Sequence, residues 1–137
     1  MGLILDSSVL VAAERQGQNA RQLLTEILKK TKETELGLSV VTLIELAHGA
    51  ARGDTPRRKS LRLEFIRQLQ AALPAHPITA SVALRAGEID GVNQGRGLRI
   101  PLTDLLIGVT ALEIGFSVAT RNVRHFRMIE GLMVVEL

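Results

Sequence analysis

Apolar positions in this chain fall into two kinds of run, and the contrast between them predicts the elements. Gly2 to Leu5, Leu36 to Ser39 and Ser117 to Thr120 are short continuous runs, too brief for helices, and read as strands buried on both faces. Between them the spacing changes. Leu23, Leu24, Ile27 and Leu28 recur at helical intervals behind Asn19, which predicts a capped amphipathic helix with Lys29, Lys30, Lys32 and Glu33 in water. Glu26 fits the polar side of the same helix. A helix begins at Ser7 after the first strand, and Ser39 caps another that runs through Glu45 to Gly49. A third leads from Thr55-Pro56 to Leu73, where Pro74 ends it. Pro77-Ile78 predicts a short third strand, Ala80 to Val92 a helix, and Leu132 to Val135 a fifth strand.

Gly91, Gly95 and Gly97 are expected to open a loop before the next helix. They do not match a phosphate-binding loop, because no strand immediately precedes them and no Lys-Ser or Lys-Thr follows. Strands that alternate with helices need crossover connections, so the sheet should be parallel and covered on both faces. The expectation is a single domain over residues 1–137, a small doubly wound α/β/α fold around five parallel strands.

The helix after that loop, Leu102 to Ile114, is apolar on nearly every face, with Pro101 and Thr103 as starting signals and Gly115 as a stop. Asp104 stands against Leu105, Leu106 and Ile107, and burying an ionised carboxylate there is costly unless something compensates. The free N–H groups and dipole of the first helical turn are one compensation. The same conflict recurs at Asp6, which ends the first strand, and at Glu45, which interrupts an apolar helix. Asp6 could cap the helix that follows, and Glu45 could be a partly exposed polar position. A shared cation accounts for all three at once. Carboxyl ends of strands in open α/β sheets are also where active sites collect.

Composition narrows the chemistry. The absence of cysteine removes disulfides, thiolate nucleophiles and Cys-based zinc sites, and the histidines, His48, His76 and His125, are scattered. Carboxylates without thiolates prefer hard ions such as Mg²⁺ or Mn²⁺. Such an ion activates water, orients a phosphate and offsets charge on phosphoryl oxygens, which makes phosphodiester hydrolysis the natural reaction. Net charge is +3, from 17 Lys and Arg against 14 Asp and Glu, and leans toward an anionic partner. The basic residues between Arg52 and Arg62 read as a solvated face or as a phosphate-tracking patch. Three phenylalanines and no Tyr or Trp argue against a base-stacking RNA module. A phosphate-accepting signalling domain would need a Lys near its aspartate, yet no Lys follows any strand exit and the last is Lys59. The start, Met-Gly-Leu-Ile-Leu-Asp, lacks a basic n-region and reads as a strand instead of a signal peptide. No apolar run approaches the ~18 residues of a membrane span, so a soluble, cytoplasmic protein is expected.

Four segments in order then resemble a known family: Leu3-Ile-Leu-Asp6-Ser-Ser-Val-Leu, Ser39-Val-Val-Thr-Leu-Ile-Glu45-Leu-Ala-His-Gly49, Asp104-Leu-Leu-Ile-Gly, and Ala119-Thr-Arg-Asn122-Val-Arg-His-Phe126. The chain resembles PIN domains, and among them the VapC-type toxins of bacterial toxin–antitoxin pairs. The resemblance implies a three-layer α/β/α PIN-like domain with a central five-stranded parallel sheet. It further implies a Mg²⁺- or Mn²⁺-dependent endoribonuclease, often a homodimer, silenced by a VapB-type antitoxin. Position by position, Asp6, Glu45 and Asp104 match the acidic metal site, and Ser7 matches the small hydroxyl residue beside the first acid. A fourth position, acidic in many PIN domains, is Asn122 here, and His125 precedes Phe126 in a structural role. Arg121 and Arg124 are candidates for contact with the RNA backbone. The alternative reading, which Asn122 keeps open, is a catalytically weak or inactive PIN-like module that binds RNA or protein.

Overall fold

The computed structural model describes residues 2–33 and 35–137. At its centre lies β1 (Gly2–Leu5), whose Leu3, Ile4 and Leu5 are fully buried because the strand is paired on both edges and covered on both faces. On one side it pairs with β2 (Glu35–Ser39), which in turn pairs with β3 (Ala75–His76). On the other it pairs with β4 (Ser117–Thr120), followed by β5 (Val134–Glu136). The order is β3-β2-β1-β4-β5, and every pairing is parallel.

Parallel strands cannot be joined by tight turns, so helices return the chain to the sheet's starting edge. From β1 to β2 run α1 (Ser7–Arg15) and α2 (Ala20–Thr31), and from β2 to β3 run α3 (Val40–Ala51) and α4 (Pro56–Ala72). Next, α5 (Ala80–Gly95) and α6 (Leu102–Ile114) lead to β4, and α7 (Val123–Phe126) precedes β5. Side chains alternate across a strand. Leu3 and Leu5 therefore join Leu10, Leu23, Phe65 and Leu69 on one face, while Ile4 joins Val82, Ile107 and Val109 on the other. The three-layer α/β/α sandwich is the architecture the strand and helix spacing predicts.

Local signals explain most boundaries. Asn19 and Gln22 form a reciprocal capping box at α2, and the Ser39 hydroxyl accepts from the Val41 N–H at α3. Four details differ from the sequence expectation. The third strand is Ala75–His76 instead of Pro77-Ile78, since Pro77 has no N–H to give a ladder. Helix α5 runs through Gly91 and Gly95, and only Gly97 takes the left-handed turn, at φ +74°. The fifth strand starts at Val134, later than Leu132, after a turn at Gly131 with φ +84°. The polar stretch after β4 forms the short helix α7.

One glycine lets two elements approach closely. A Cβ on Gly108 of α6 would strike Ile129 Cδ1, and would lie 3.2 Å from Leu132 Cδ2 and 3.5 Å from Phe126 Cδ1. The segment that begins at α7 can therefore lie directly on the backbone of α6.

Of the basic cluster, Arg58 pairs with Asp54 in solvent, as a surface residue would. Arg62 does not. Its Nε and Nη2 donate to the Glu14 carboxylate at 2.6–2.8 Å, and Nη1 donates to the Leu46 carbonyl at 3.2 Å, tying α1, α3 and α4 together. The two side chains are only 18% and 23% exposed, so losing Arg62 strands a partly buried carboxylate. We expect Arg62→Ala to cost about 2–3 kcal/mol in urea denaturation, against under about 0.5 kcal/mol for Arg58→Ala.

Candidate active site

Strand order reverses at β1: the chain first builds outward through β2 and β3, then crosses to place β4 on the other side. Helices leave β1 and β4 in different directions at such a point, and a crevice opens beyond the carboxyl ends of the strands. Asp6 follows β1, and Arg121 and Asn122 follow β4, so the topology alone brings the two ends of the sequence to one place.

Asp6 is 5% exposed and sits at the N-cap position of α1, but its side chain makes no capping bond. Its Oδ2 instead accepts from Ser8 Oγ at 2.7 Å and from Thr120 Oγ1 at 2.9 Å. Each hydroxyl is held by a backbone donor in turn: Arg121 N–H to Ser8 Oγ at 3.0 Å, and Asn122 N–H to Thr120 Oγ1 at 3.0 Å. Both hydroxyl protons are thereby directed at one carboxylate oxygen. Among the described residues nothing donates to Oδ1, which is left for a ligand.

Glu45 enters from the second turn of α3, and its Oε1 is buried without a hydrogen-bond partner among the described residues. Burial is the main cause that raises its pKa above the ordinary glutamate value. The Ser7 hydroxyl opposes the shift, while the charges of Asp6 and Asp104 add to it. Asp104 stands in the first turn of α6, where the helix dipole favours its charge, as the dipole account of its burial expects. Its pKa is also raised, first by burial and further by Asp6, against the opposing hydrogen bond from His125. His125 Nδ1 lies 2.9 Å from Asp104 Oδ2.

All three acids line one cleft of about 740 Å³, together with Ser7, Arg15, Arg121, Asn122 and His125. The structure thus gathers Asp6, Glu45, Asp104, Ser7, Arg121 and Asn122 as the sequence predicts. The Asn122 side chain makes no capping bond to α7, so its amide is not committed there. Arg124 is exposed and does not line the cleft. Sequence reasoning did not single out Ser8, Thr120 or Arg15, which the structure brings to the cleft or to Asp6, and read His125 chiefly as structural. Thr120 becomes visible once Leu5 is known to pair with Ala119, because that register sets the next residues, Asp6 and Thr120, side by side, and Ser8 reaches the same carboxylate from the first turn of α1.

Oxygen donors, an orphaned Glu45 Oε1 and a free Asp6 Oδ1 fit a hard divalent cation. Among the described residues no three acids or histidines close into a cage around an ion by themselves. Mg²⁺ does not need one, since it keeps several waters and binds through one or two carboxylates.

A PIN domain family profile matches residues 3–131, nearly the whole chain. The chain belongs to the PIN domain family. This PIN domain is 35% identical over 130 residues to Ribonuclease VapC10 of Mycobacterium tuberculosis, covering 95% of this chain and 90% of the relative. It is 27% identical over 135 residues to Ribonuclease VapC1 of Rickettsia felis, covering 98% and 96%. Its fold is similar to that of VapBC2 from Rickettsia felis, solved bound to a DNA fragment from its promoter, with a TM-score of 0.81 at 22% identity over 100% and 99% of the chains. VapBC-1 from nontypeable Haemophilus influenzae gives a TM-score of 0.81 at 20% identity over 99% and 98%. These likenesses place the PIN domain among the VapC-type proteins.

The raised carboxylates have a consequence for stability. A carboxyl group with a higher pKa folded than unfolded favours folding while protonated, and that contribution is lost as pH rises through the folded value. For the metal-free protein we expect Glu45→Gln to melt above wild type at pH 7, and the difference to shrink toward about pH 4. Added Mn²⁺ should raise the melting temperature of wild type more than that of Glu45→Gln. Thermal melts across pH, with and without the ion, check both.

Proposed function

We propose that this protein is a Mg²⁺- or Mn²⁺-dependent endoribonuclease that hydrolyses RNA phosphodiester bonds and acts as the toxin of a VapBC-type pair. The observation that carries the reading is that three carboxylates from three segments share one cleft, with one buried oxygen of Glu45 left without a partner among the described residues. Asp6, Glu45 and Asp104 would hold the ion, directly or through water. When bound, it supplies an activated water and a positive centre to offset phosphoryl charge.

The chain's own residues supply the rest. Ser8 and Thr120 fix the orientation of Asp6, and Ser7 stands beside Glu45. Arg15 and Arg121 line the cleft, and among the described residues neither forms an ion pair, so both are available to RNA phosphates. Two arginines against three acids leave the cleft net negative, so a polyanion is admitted only when a cation is present. Asn122 contributes a neutral amide at the rim. Arg124, exposed on the neighbouring helix, is placed to reach backbone only beyond the cleft.

A VapB-type antitoxin as partner is supported by the VapBC structures that this fold resembles. A homodimer is supported by exposed Leu84 and Val92 on α5, beside Gly91 and Gly95, where an added Cβ would meet nothing. A cytoplasmic location is in keeping with the described residues containing no helix long and apolar enough to cross a membrane.

The test is cleavage of total cellular RNA by protein freed of antitoxin, with Mn²⁺, with Mg²⁺ and with chelator. We expect metal-dependent cleavage that Asp104→Asn lowers at least ~10³-fold while the variant stays folded by circular dichroism. RNA binding with no cleavage under any condition would instead favour the binding-module reading, with Asn122 as the first residue to restore to Asp.

A further inference from the structure

The structure brings His125 into contact with a residue 21 positions away, and two independent features of the fold produce that contact. One is the short helix α7, pinned by Phe126 at 1% exposure and by Ile129 just beyond it at 2%. The other is Gly108, four residues after Asp104 and so on the same face of α6. Its missing side chain admits Ile129 and Phe126 against the helix backbone. With that segment seated, His125 Nδ1 falls 2.9 Å from Asp104 Oδ2, and both side chains line the cleft.

An ionised carboxylate only accepts hydrogen bonds, so against ionised Asp104 the pairing requires a proton on His125 Nδ1. Oδ2 is then engaged and Oδ1 is the oxygen left for a cation. Asp6 shows the same arrangement by other means, with both donors directed at its Oδ2. Carboxylate ligands held by outer hydrogen bonds bind metal more tightly than free ones.

We propose that His125 is a positioning residue: it holds Asp104 through Nδ1–H so that the remaining carboxylate oxygen is presented to the divalent ion. This rests on the reading of Asp6, Glu45 and Asp104 as the metal site. The role is mechanical and needs no contact between His125 and RNA.

The experiment is Mn²⁺ binding to the full chain without RNA, followed by electron paramagnetic resonance, for wild type, Asp104→Asn, His125→Ala, His125→Asn and His125→Gln. Asparagine places an amide N–H at the same bond count from the backbone as Nδ1, whereas glutamine extends it to the position of Nε2. We expect His125→Ala and His125→Gln to weaken Mn²⁺ binding about 10-fold or more, and His125→Asn to restore it to within about 3-fold of wild type. Equal binding by wild type and His125→Ala, with loss in Asp104→Asn, overturns the positioning role and leaves the metal site standing. Equal binding by wild type and Asp104→Asn overturns the metal site and this role with it. A second readout needs no metal. Nitrogen NMR of the imidazole should show Nδ1–H in wild type, a preference lost in Asp104→Asn, and an Nε2–H tautomer in wild type would overturn the proposal.

Discussion

The constraint on which the site depends is the repulsion between carboxylates that the fold holds near one another without, among the described residues, giving them a Lys or Arg partner. Asp6, Glu45 and Asp104 reach one cleft from three elements, and burial combined with their mutual charge raises the pKa of the latter two. Such an arrangement destabilises the metal-free fold, so it has to be held by parts that cannot relax. Those parts are the fully buried β1 and helix α3, which pack into both cores, and the interior helix α6, which packs into one. A site on loops would relieve the strain by moving apart.

Hydrogen-bonding side chains do most of the holding. Ser8, Thr120 and His125 orient carboxylates through hydrogen bonds, and the two hydroxyls do so without a charge that would cancel the site. Hydroxyl and imidazole donors suit this work because they direct a carboxylate oxygen while leaving its negative charge available to a cation. The backbone N–H groups of Arg121 and Asn122 extend the network to the chain after β4, so the strand exit that supplies one of the cleft's two arginines also helps to orient Asp6.

The sequence made the fold and the three acids legible for the same reason. Buried strands and a buried helix leave uninterrupted apolar runs, and a carboxylate within such a run is conspicuous. Leu102 to Ile114 is bounded in the structure where Pro101 and Gly115 place it. What escaped was everything fixed by tertiary register. Ser8 is an ordinary helix-start residue until β4 is set beside β1, and His125 is one polar residue among several until Gly108 draws α7 onto α6. Gly91 and Gly95 misled for a related reason: glycine disfavours a helix by about 1 kcal/mol, and packing of α5 against α6 overrides that. The third strand escaped because two residues are too few to carry a period.

Glu14 supplies the contrast that gives the three acids their meaning. It too is a partly buried carboxylate on a helix beside the cleft, yet it receives a guanidinium from Arg62 with bonds to both of its oxygens. Arg15, its immediate neighbour in sequence, lines the cleft and pairs with no acid there. The chain therefore has the means to neutralise a buried carboxylate with its own arginines, and uses them a few ångströms of backbone away. Among the described residues Glu45 Oε1 nevertheless has no hydrogen-bond partner. Buried polar atoms are as a rule paired, so this one oxygen of Glu45 is the physical reason to look outside the chain for what meets it.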